Sequence, residues 1–273
     1  KTIPGRRFQN KKTKYWTSPV SKEAVDILSK DGFSIDQAII SSLIPEPTEK
    51  ITPIHDIPGL DITLFPFQKE GVSFIESRKG RALVGDEMGL GKTIQALAWL
   101  GLHPKRRPAI VLCPAHLKLN WEKEINNVFT KKPSVQVLAG RTPYELTAEI
   151  IIINYDILNQ WVDALQAYQP EVLIFDEAHY IKNNSAQRTK ATKKLAKKIP
   201  HVIALTGTPI VNRPVEGFNI AQVINRTIFP NFWNYVHTYC GAHHNGFGWD
   251  FTGATNKKEL HKILTDSIMI RRK

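Results

Sequence analysis

Two stretches of this 273-residue chain carry residue types that handle phosphate. The first is GDEMGLGKT, Gly85–Thr93, between the apolar run Arg81–Val84 and the helix-length segment Thr93–Leu102. A glycine-rich turn between strand and helix surrounds an anion with backbone N–H groups, and the helix N-terminus adds partial positive charge. Gly89 and Gly91 free the backbone for that turn. Lys92 is expected to reach the outer phosphates of a nucleotide, and Thr93 to place its hydroxyl on Mg²⁺. Asp86 stands where the strict pattern has its first glycine. The second stretch is EVLIFDEAH, Glu171–His179, an apolar strand ending in two carboxylates. Asp176 is expected to hold Mg²⁺ through water, and Glu177 to orient and deprotonate an attacking water. Together they make ATP and Mg²⁺ the expected ligands.

Other residues gain meaning beside these two. Gln68 in PFQKEG is either an amide that reads the adenine edge, donating and accepting at once, or a polar residue at a helix start. Thr206 and Thr208 in LTGTP either link the γ-phosphate site to a bound polymer or belong to an ordinary strand-end turn.

The elements that must position these groups are legible as a pattern. Arg81–Val84, Ala109–Cys113, Val135–Leu138, Glu149–Ile153, Val172–Phe175 and His201–Leu205 are short apolar runs of strand length. Helix-length segments such as Thr93–Leu102 and Leu117–Val128 separate most of them. Continuous apolar strands alternating with helices predict an α/β fold with a mostly parallel sheet flanked by helices, its ligand at the carboxyl ends of the strands. From about Arg213 onward the pattern is mainly helical. PEPTEKITPIHDIP, with four prolines, reads as an extended linker, placed at 51–63. Before it, residues 1–50 read as a small α+β module. It has a hairpin turning at Gln9–Lys12 and two short helices, the second starting at Ser34 with Gln37 in capping-box spacing.

Charge points to the partner. The chain has 37 basic and 25 acidic residues, a net +12, which favours a polyanion and nucleic acid first. The basic residues cluster. Residues 1–22 hold seven and no acid, and Lys182–Lys198 holds another seven and no acid. The apolar content of 42% excludes a wholly disordered chain, and no apolar run is long enough for a membrane span. Two cysteines, Cys113 and Cys240, exclude a disulfide framework and point to a reducing, intracellular setting. That setting is the nucleus in a eukaryote, and the cytoplasm or nucleoid in a bacterium or virus. The missing initiator Met reads as a fragment of a longer protein.

As a set, FQKEG, DEMGLGKTIQ, CPAHLKLNW, INYD, DEAHYIKN, LTGTPIVNRP and MIRRK resemble the first RecA-like lobe of a SWI/SNF-type ATPase, over Leu64 to Lys273. DEMGLGKT is the usual form of the phosphate loop in that family. GTPIVNRPVEGFN, TYCGAHHNGFGWDFTGATNKKELHKIL and IMIRRK are similar to its HARP or annealing-helicase branch, which remodels stalled replication forks. KTIPGRRFQNKKTKYWTSPV looks like the small HARP-type module that precedes the motor there. The resemblance implies ATP-driven translocation on double-stranded or forked DNA. It implies that Lys92 and Thr93 bind phosphate and Mg²⁺, that Asp176 and Glu177 run hydrolysis, and that Gln68 contacts adenine. His179, Thr206 and Thr208 would couple nucleotide state to DNA. A second RecA-like lobe in the full-length protein would supply arginines to the γ-phosphate, so this stretch is expected to bind ATP and hydrolyse it poorly alone.

A translocase must ignore sequence, so its DNA contacts should fall on phosphates. The candidates are Lys118 and Trp121, Asn154 and Tyr155, and Lys182, Asn183 and Arg188. Trp121 reads equally as a core aromatic. His237, Cys240, His243 and His244 carry zinc-ligand atoms, but with one thiol, no CxxC and an adjacent pair, no structural zinc is expected. The better reading is a loop held by Trp233, Tyr239, Phe247, Trp249 and Phe251, rings that could also stack or wedge against DNA. Two other function classes stay open: an RNA helicase with DEAH, and a nucleotide-gated DNA clamp without turnover.

Overall fold

A computed structural model describes residues 7–8, 16–17, 22–36, 38–39, 51–208 and 213–273. Its centre is a seven-stranded sheet in which every pairing is parallel. The strands are β3 (Arg81–Val84), β4 (Ala109–Cys113), β5 (Val135–Val137), β6 (Ile150–Asn154), β7 (Val172–Phe175), β8 (His201–Leu205) and β11 (Met269–Ile270). Their spatial order is β11-β3-β8-β7-β4-β6-β5.

The apolar runs become strands because both faces of the sheet are covered. Side chains alternate between faces, so Ala82 and Val84 join one core cluster while Leu83 joins the other. One cluster lies under α2 (Pro66–Ser77), α3 (Lys92–Leu102) and α4 (Lys118–Val128). The other lies under α5 (Leu158–Ala167), α6 (Gln187–Ala196), α7 (Pro214–Ile224), α8 (Phe232–Tyr239) and α9 (Lys257–Ser267). Ile150–Ile153 are all fully buried, which is why β6 reads as an unbroken apolar run.

The C-terminal part is helical as expected, but it ends in a strand that the pattern does not announce. Met269 and Ile270 pair with Leu83 and Val84 and close the sheet beside β3. Two residues are too short to show a period. The ladder continues past them: Leu83 N donates to Ile268 O at 2.7 Å, Gly85 N to Ile270 O at 2.8 Å, and Glu87 N to Arg272 O at 3.1 Å. Between α8 and α9 a short hairpin pairs β9 (His243–His244) with β10 (Trp249–Asp250).

Two expectations for the N-terminal part change. Arg7–Phe8 (β1) and Trp16–Thr17 (β2) do pair antiparallel, with the expected turn at Gln9–Lys12 outside the described residues. The helix expected from Ser34 does not start there. Residues 33–36 are non-helical, and Asp36 Oδ1 accepts Ala38 N at 2.7 Å, so Asp36 supplies the cap; Gln37 lies outside the described residues. A carboxylate so placed caps as well as a serine hydroxyl does. Nor is α1 (Lys22–Lys30) detached, because Asn231 Nδ2 donates to Ser29 O at 2.9 Å.

The 51–63 stretch is extended but is not a free linker. Ile54 N donates to Ser73 Oγ at 2.9 Å, Ile57 is buried, and Asp61 N donates to Val128 O at 2.9 Å. Leu60 bridges Phe129. Proline content predicts extension correctly, but the apolar residues spaced between the prolines find α2 and α4 to pack on. Ser73 is itself buried and its hydroxyl donates to Lys69 O at 2.8 Å. Ser73→Ala should therefore lower stability by about 1 kcal/mol in a urea titration and speed proteolytic cleavage within 51–63. Equal cleavage rates would mean that the segment is untethered.

Candidate nucleotide site

Sheet order brings the two phosphate-handling stretches together. β8 lies between β3 and β7, so the glycine loop, the 206–208 turn and the DEAH turn leave three adjacent strands at the same edge. Neighbouring strands stand about 4.8 Å apart, so the outer two turns face each other across roughly 10 Å.

The loop that follows β3 is shaped by its glycines and by a buried ion pair. Gly89 and Gly91 take φ of 89° and 67°, and Gly91 turns directly into α3. A Cβ at Gly91 would run into the Gln68 carboxamide, so the expected adenine reader sits against the loop. Gln68 Oε1 also accepts Phe65 N at 3.0 Å, closing the first turn of α2. Gln68 is thus the polar residue of a helix start, placed beside the loop. Lys92 opens α3, and its ammonium donates to the carbonyls of Asp86 and Glu87 at 2.9 and 3.1 Å. Thr93 follows it in the first turn, half-buried. This cluster of loop N–H groups, one ammonium and one hydroxyl at a helix start suits a polyphosphate with its cation.

Asp86 is fully buried, and its partner is Arg272, just beyond β11. Arg272 donates to it from the backbone at 2.9 Å, from Nε at 3.1 Å and from Nη2, while Gln95 Nε2 donates to the same carboxylate at 3.0 Å. Arg272 also donates to Phe67 O and to Gln95 Oε1. Sequence reasoning left both charges without a role. The only available signal was their opposite sign at the two ends of the motif series, which says nothing about contact. The residue that breaks the strict glycine pattern is thus the anchor of the loop.

The second half of the site is built around Asp176, which follows β7 and is nearly buried. Its Oδ2 accepts Trp121 Nε1 at 3.0 Å and its Oδ1 accepts Glu177 N at 2.8 Å. Burial pushes its carboxyl above the ordinary 3.8, with the Trp121 hydrogen bond, the Glu177 N–H and Lys92 pulling the other way. Glu177 takes φ 48°, ψ 55°, a left-handed conformation that costs a non-glycine residue on the order of 1 kcal/mol. Its Oε2 lies 3.2 Å from His179 Nδ1. Thr206 is fully buried, and its Oγ1 accepts Thr208 N at 3.2 Å, leaving Thr208 exposed above it.

Three of the expected DNA contacts are not on the surface. Trp121 is 1% exposed and spends its indole N–H on Asp176. Tyr155 is 2% exposed and donates its hydroxyl to Asp176 O at 2.7 Å. Asn154 is buried, with its amide on Asp156 Oδ2 at 3.1 Å. Trp121, on α4, and Tyr155, just past β6, both bond to Asp176, so these two support the site. The other four candidates have surface. Lys182 and Asn183 are exposed, Arg188 lies 5.4 Å above the Tyr180 ring, and Lys118 is half-buried with its ammonium on Leu138 O at 2.8 Å. Behind them Lys193 donates to Asn184 and Asn219 at 2.8 and 2.6 Å. Burial, then Arg226, lowers its ammonium from 10.5 to about 8.

Among the described residues, no group of three His, Cys, Asp or Glu side chains converges as metal ligands would. Cys240 is fully buried, and burial pushes its thiol up to about 12. No described helix is long and apolar enough to cross a membrane.

Fold and site together define a RecA-like α/β ATPase lobe. The chain belongs to the SNF2-related domain family, whose model matches residues 67–273. It is 34% identical over 229 residues to "SWI/SNF-related matrix-associated actin-dependent regulator of chromatin subfamily A-like protein 1" of Xenopus tropicalis, covering 80% of this chain and 24% of that protein. It is 36% identical over 221 residues to human "DNA annealing helicase and endonuclease ZRANB3", covering 77% of this chain and 20% of that one. The solved "Sulfolobus solfataricus SWI2/SNF2 ATPase core in complex with dsDNA" superposes with a TM-score of 0.67 at 26% identity, covering 82% of this chain and 47% of the other. The chain thus spans about a quarter or less of these two curated relatives.

Two outcomes test the site's electrostatics. Arg272→Ala leaves the Asp86 carboxylate buried and unpaired, and should cost about 3–5 kcal/mol in denaturant unfolding. Arg272→Lys should not restore it, because one ammonium cannot reproduce the guanidinium fork; a loss below about 1 kcal/mol would mean that the pair anchors nothing. The raised Asp176 carboxyl makes folding take up a proton. Without Mg²⁺, stability measured against Asp176→Asn should fall as pH rises from 3.8 to the folded value and level off above it. Trp121→Phe removes a bond that lowers this carboxyl, so the decline should extend to higher pH. A flat difference would show that Asp176 is not desolvated.

Proposed function

We propose that this chain is the nucleotide-binding lobe of an ATP-driven translocase on double-stranded DNA, of the annealing-helicase kind. The observation that carries the reading is the placement of Lys92 and Asp176 past the ends of β3 and β7, the two strands flanking β8, at one sheet edge within a member of the SNF2-related family. Lys92 binds the β- and γ-phosphates, the loop from Gly89 to Gly91 wraps them with N–H groups, and Gln68 holds the adenine edge. Thr93 and Asp176 are the residues that would hold Mg²⁺, which neutralises phosphate charge when bound. Glu177 takes the proton of the attacking water. Its 3.2 Å contact with His179 joins that base to the turn leading to Lys182 and Asn183, and Thr206 and Thr208 make the matching link from β8. DNA binding at one side therefore changes where the base points at the other.

The solved relative is a complex with dsDNA, and the curated relatives are named for chromatin and for annealing DNA. Those names support duplex or forked DNA over RNA, and a nuclear or nucleoid setting. Lys182, Asn183, Arg188 and Lys118 are the proposed phosphate contacts, each ion-paired phosphate steepening the log–log salt dependence by about 0.9. The active motor is read as this lobe paired with a second one that completes the γ-phosphate site. The basic module before residue 50 is read as HARP-like and an added grip on DNA.

The test is nucleotide binding and phosphate release with Mg·ATP, comparing duplex DNA, single-stranded DNA and RNA. Duplex DNA should stimulate most, Lys92→Ala should lose nucleotide binding, and Glu177→Gln should bind without turnover. Preferential stimulation by RNA would overturn the reading in favour of an RNA helicase. Brisk turnover by this chain alone would overturn the need for a second lobe. Nucleotide and duplex binding without turnover, even in a longer chain, would make it a clamp.

A further inference from the structure

Tyr180 stands where the supports of both site carboxylates meet the basic block. It lies in the short turn Ala178–Ile181 that follows Glu177, and its N–H donates to Glu177 O at 2.9 Å. Its ring stacks on Tyr155, with centroids 5.1 Å apart and planes 20° from parallel. Tyr155 in turn donates its hydroxyl to Asp176 O at 2.7 Å. Burial, then the Asp176 charge, pushes that hydroxyl well above its ordinary 10, so it stays a donor near neutral pH. The Tyr180 ring also meets His179, with centroids 5.2 Å apart, and His179 Nδ1 lies 3.2 Å from Glu177 Oε2. One half-buried ring thus touches the side chains that reach both acids.

The third contact of this ring is a cation. Arg188, in the first turn of α6, holds its guanidinium carbon over the Tyr180 face, 5.4 Å from the centroid. Its Nε is buried and has no hydrogen-bond partner among the described residues. The sequence from Lys182 to Lys198 offers no acid either. Arg188 therefore rests on a π-face in place of an anion. A cation–π contact is weaker than a charge-assisted bond to phosphate, so a phosphate within reach takes the guanidinium from the ring. Close-packed side chains transmit such a shift, because there is no free volume to absorb it. Tyr155 and His179 are the neighbours that receive it.

We infer that Tyr180 is a positioning residue that carries the state of Arg188, resting on the ring or drawn to a phosphate, to Asp176 through Tyr155 and to Glu177 through His179. The inference rests on the duplex-DNA reading above and deepens it. The nucleotide site senses the polymer through a ring that touches neither ligand.

The test is thermodynamic coupling, which needs no turnover. The affinity of the chain for a fluorescent Mg·ATP analogue is measured with and without saturating duplex DNA, and the ratio of the two is the coupling. The same ratio must appear in DNA affinity with and without the nucleotide. Duplex DNA should change nucleotide affinity by about tenfold. Tyr180→Leu keeps apolar bulk and loses the π-face. It should bring the ratio within about twofold of unity, while each ligand alone binds as it does to the unaltered chain. Tyr180→Phe keeps the face and should keep the ratio. Arg188→Ala should lose the ratio and lower the log–log salt slope of DNA binding by about 0.9, a slope that Tyr180→Leu leaves unchanged. Arg188 is half-exposed, so its variant carries the test alone if Tyr180→Leu unfolds. A tyrosine that only fills space would lower both affinities on replacement and leave their ratio intact. A ratio that survives Tyr180→Leu or Arg188→Ala, a ratio lost in Tyr180→Phe, or an unaltered chain that binds both ligands independently overturns the inference while the duplex reading stands. Failure to bind duplex DNA overturns both.

Discussion

A buried carboxylate on a glycine-rich loop is costly unless something of opposite charge stands against it, and here that something arrives from the far end of the chain. Asp86 is fully buried and held by the backbone and guanidinium of Arg272. Removing two charges from water is repaid only when their hydrogen bonds are complete, and Gln95 and Phe67 O complete them. The pair does more than hold two residues. Gly85 and Glu87 bond to the same C-terminal segment, so the start of the loop is fixed on a strand edge before α3 begins. Without β11 the loop would leave an edge strand with nothing beside it.

The second carboxylate is held differently. Asp176 is also taken out of water, but its partners are an indole N–H and a backbone N–H, both neutral. They orient the group without cancelling its charge, which is the state that a site for a divalent cation needs. Tyr155 fixes the backbone carbonyl of the same residue. One carboxylate of the site is neutralised to shape a loop, and the other, uncancelled, is the proposed cation holder. The strained backbone of Glu177 belongs to the same economy of position, since it aims the proposed base while Asp176 stays on the strand axis.

The outer surface follows another logic. In the proposed function, the cations of the Lys182–Lys198 block draw a polymer through long-range attraction and tolerate displacement. The β9–β10 hairpin instead holds its rings on a turn that Asn245 and His244 brace.

The loop from Gly85 to Thr93, the DEAH strand, six strands of the parallel sheet and the basic excess could all be read from residue order. Each is local: a glycine spacing, an apolar run, a charge count. What the order of residues could not decide is which distant groups meet. Trp121, Tyr155 and Asn154 carry polar handles suited to DNA, and only the packing of α4 on the sheet and the place of β6 beyond β4 turn them inward. The 51–63 stretch has the prolines of a linker, and only the faces of α2 and α4 make it a strap. Asp86 and Arg272 are unremarkable as single letters, and two-residue β11 has no period to detect. Patterns along a chain record what each segment must bury or bend. Partners brought together by the crossovers of a sheet leave no such record, because their contact depends on the whole topology.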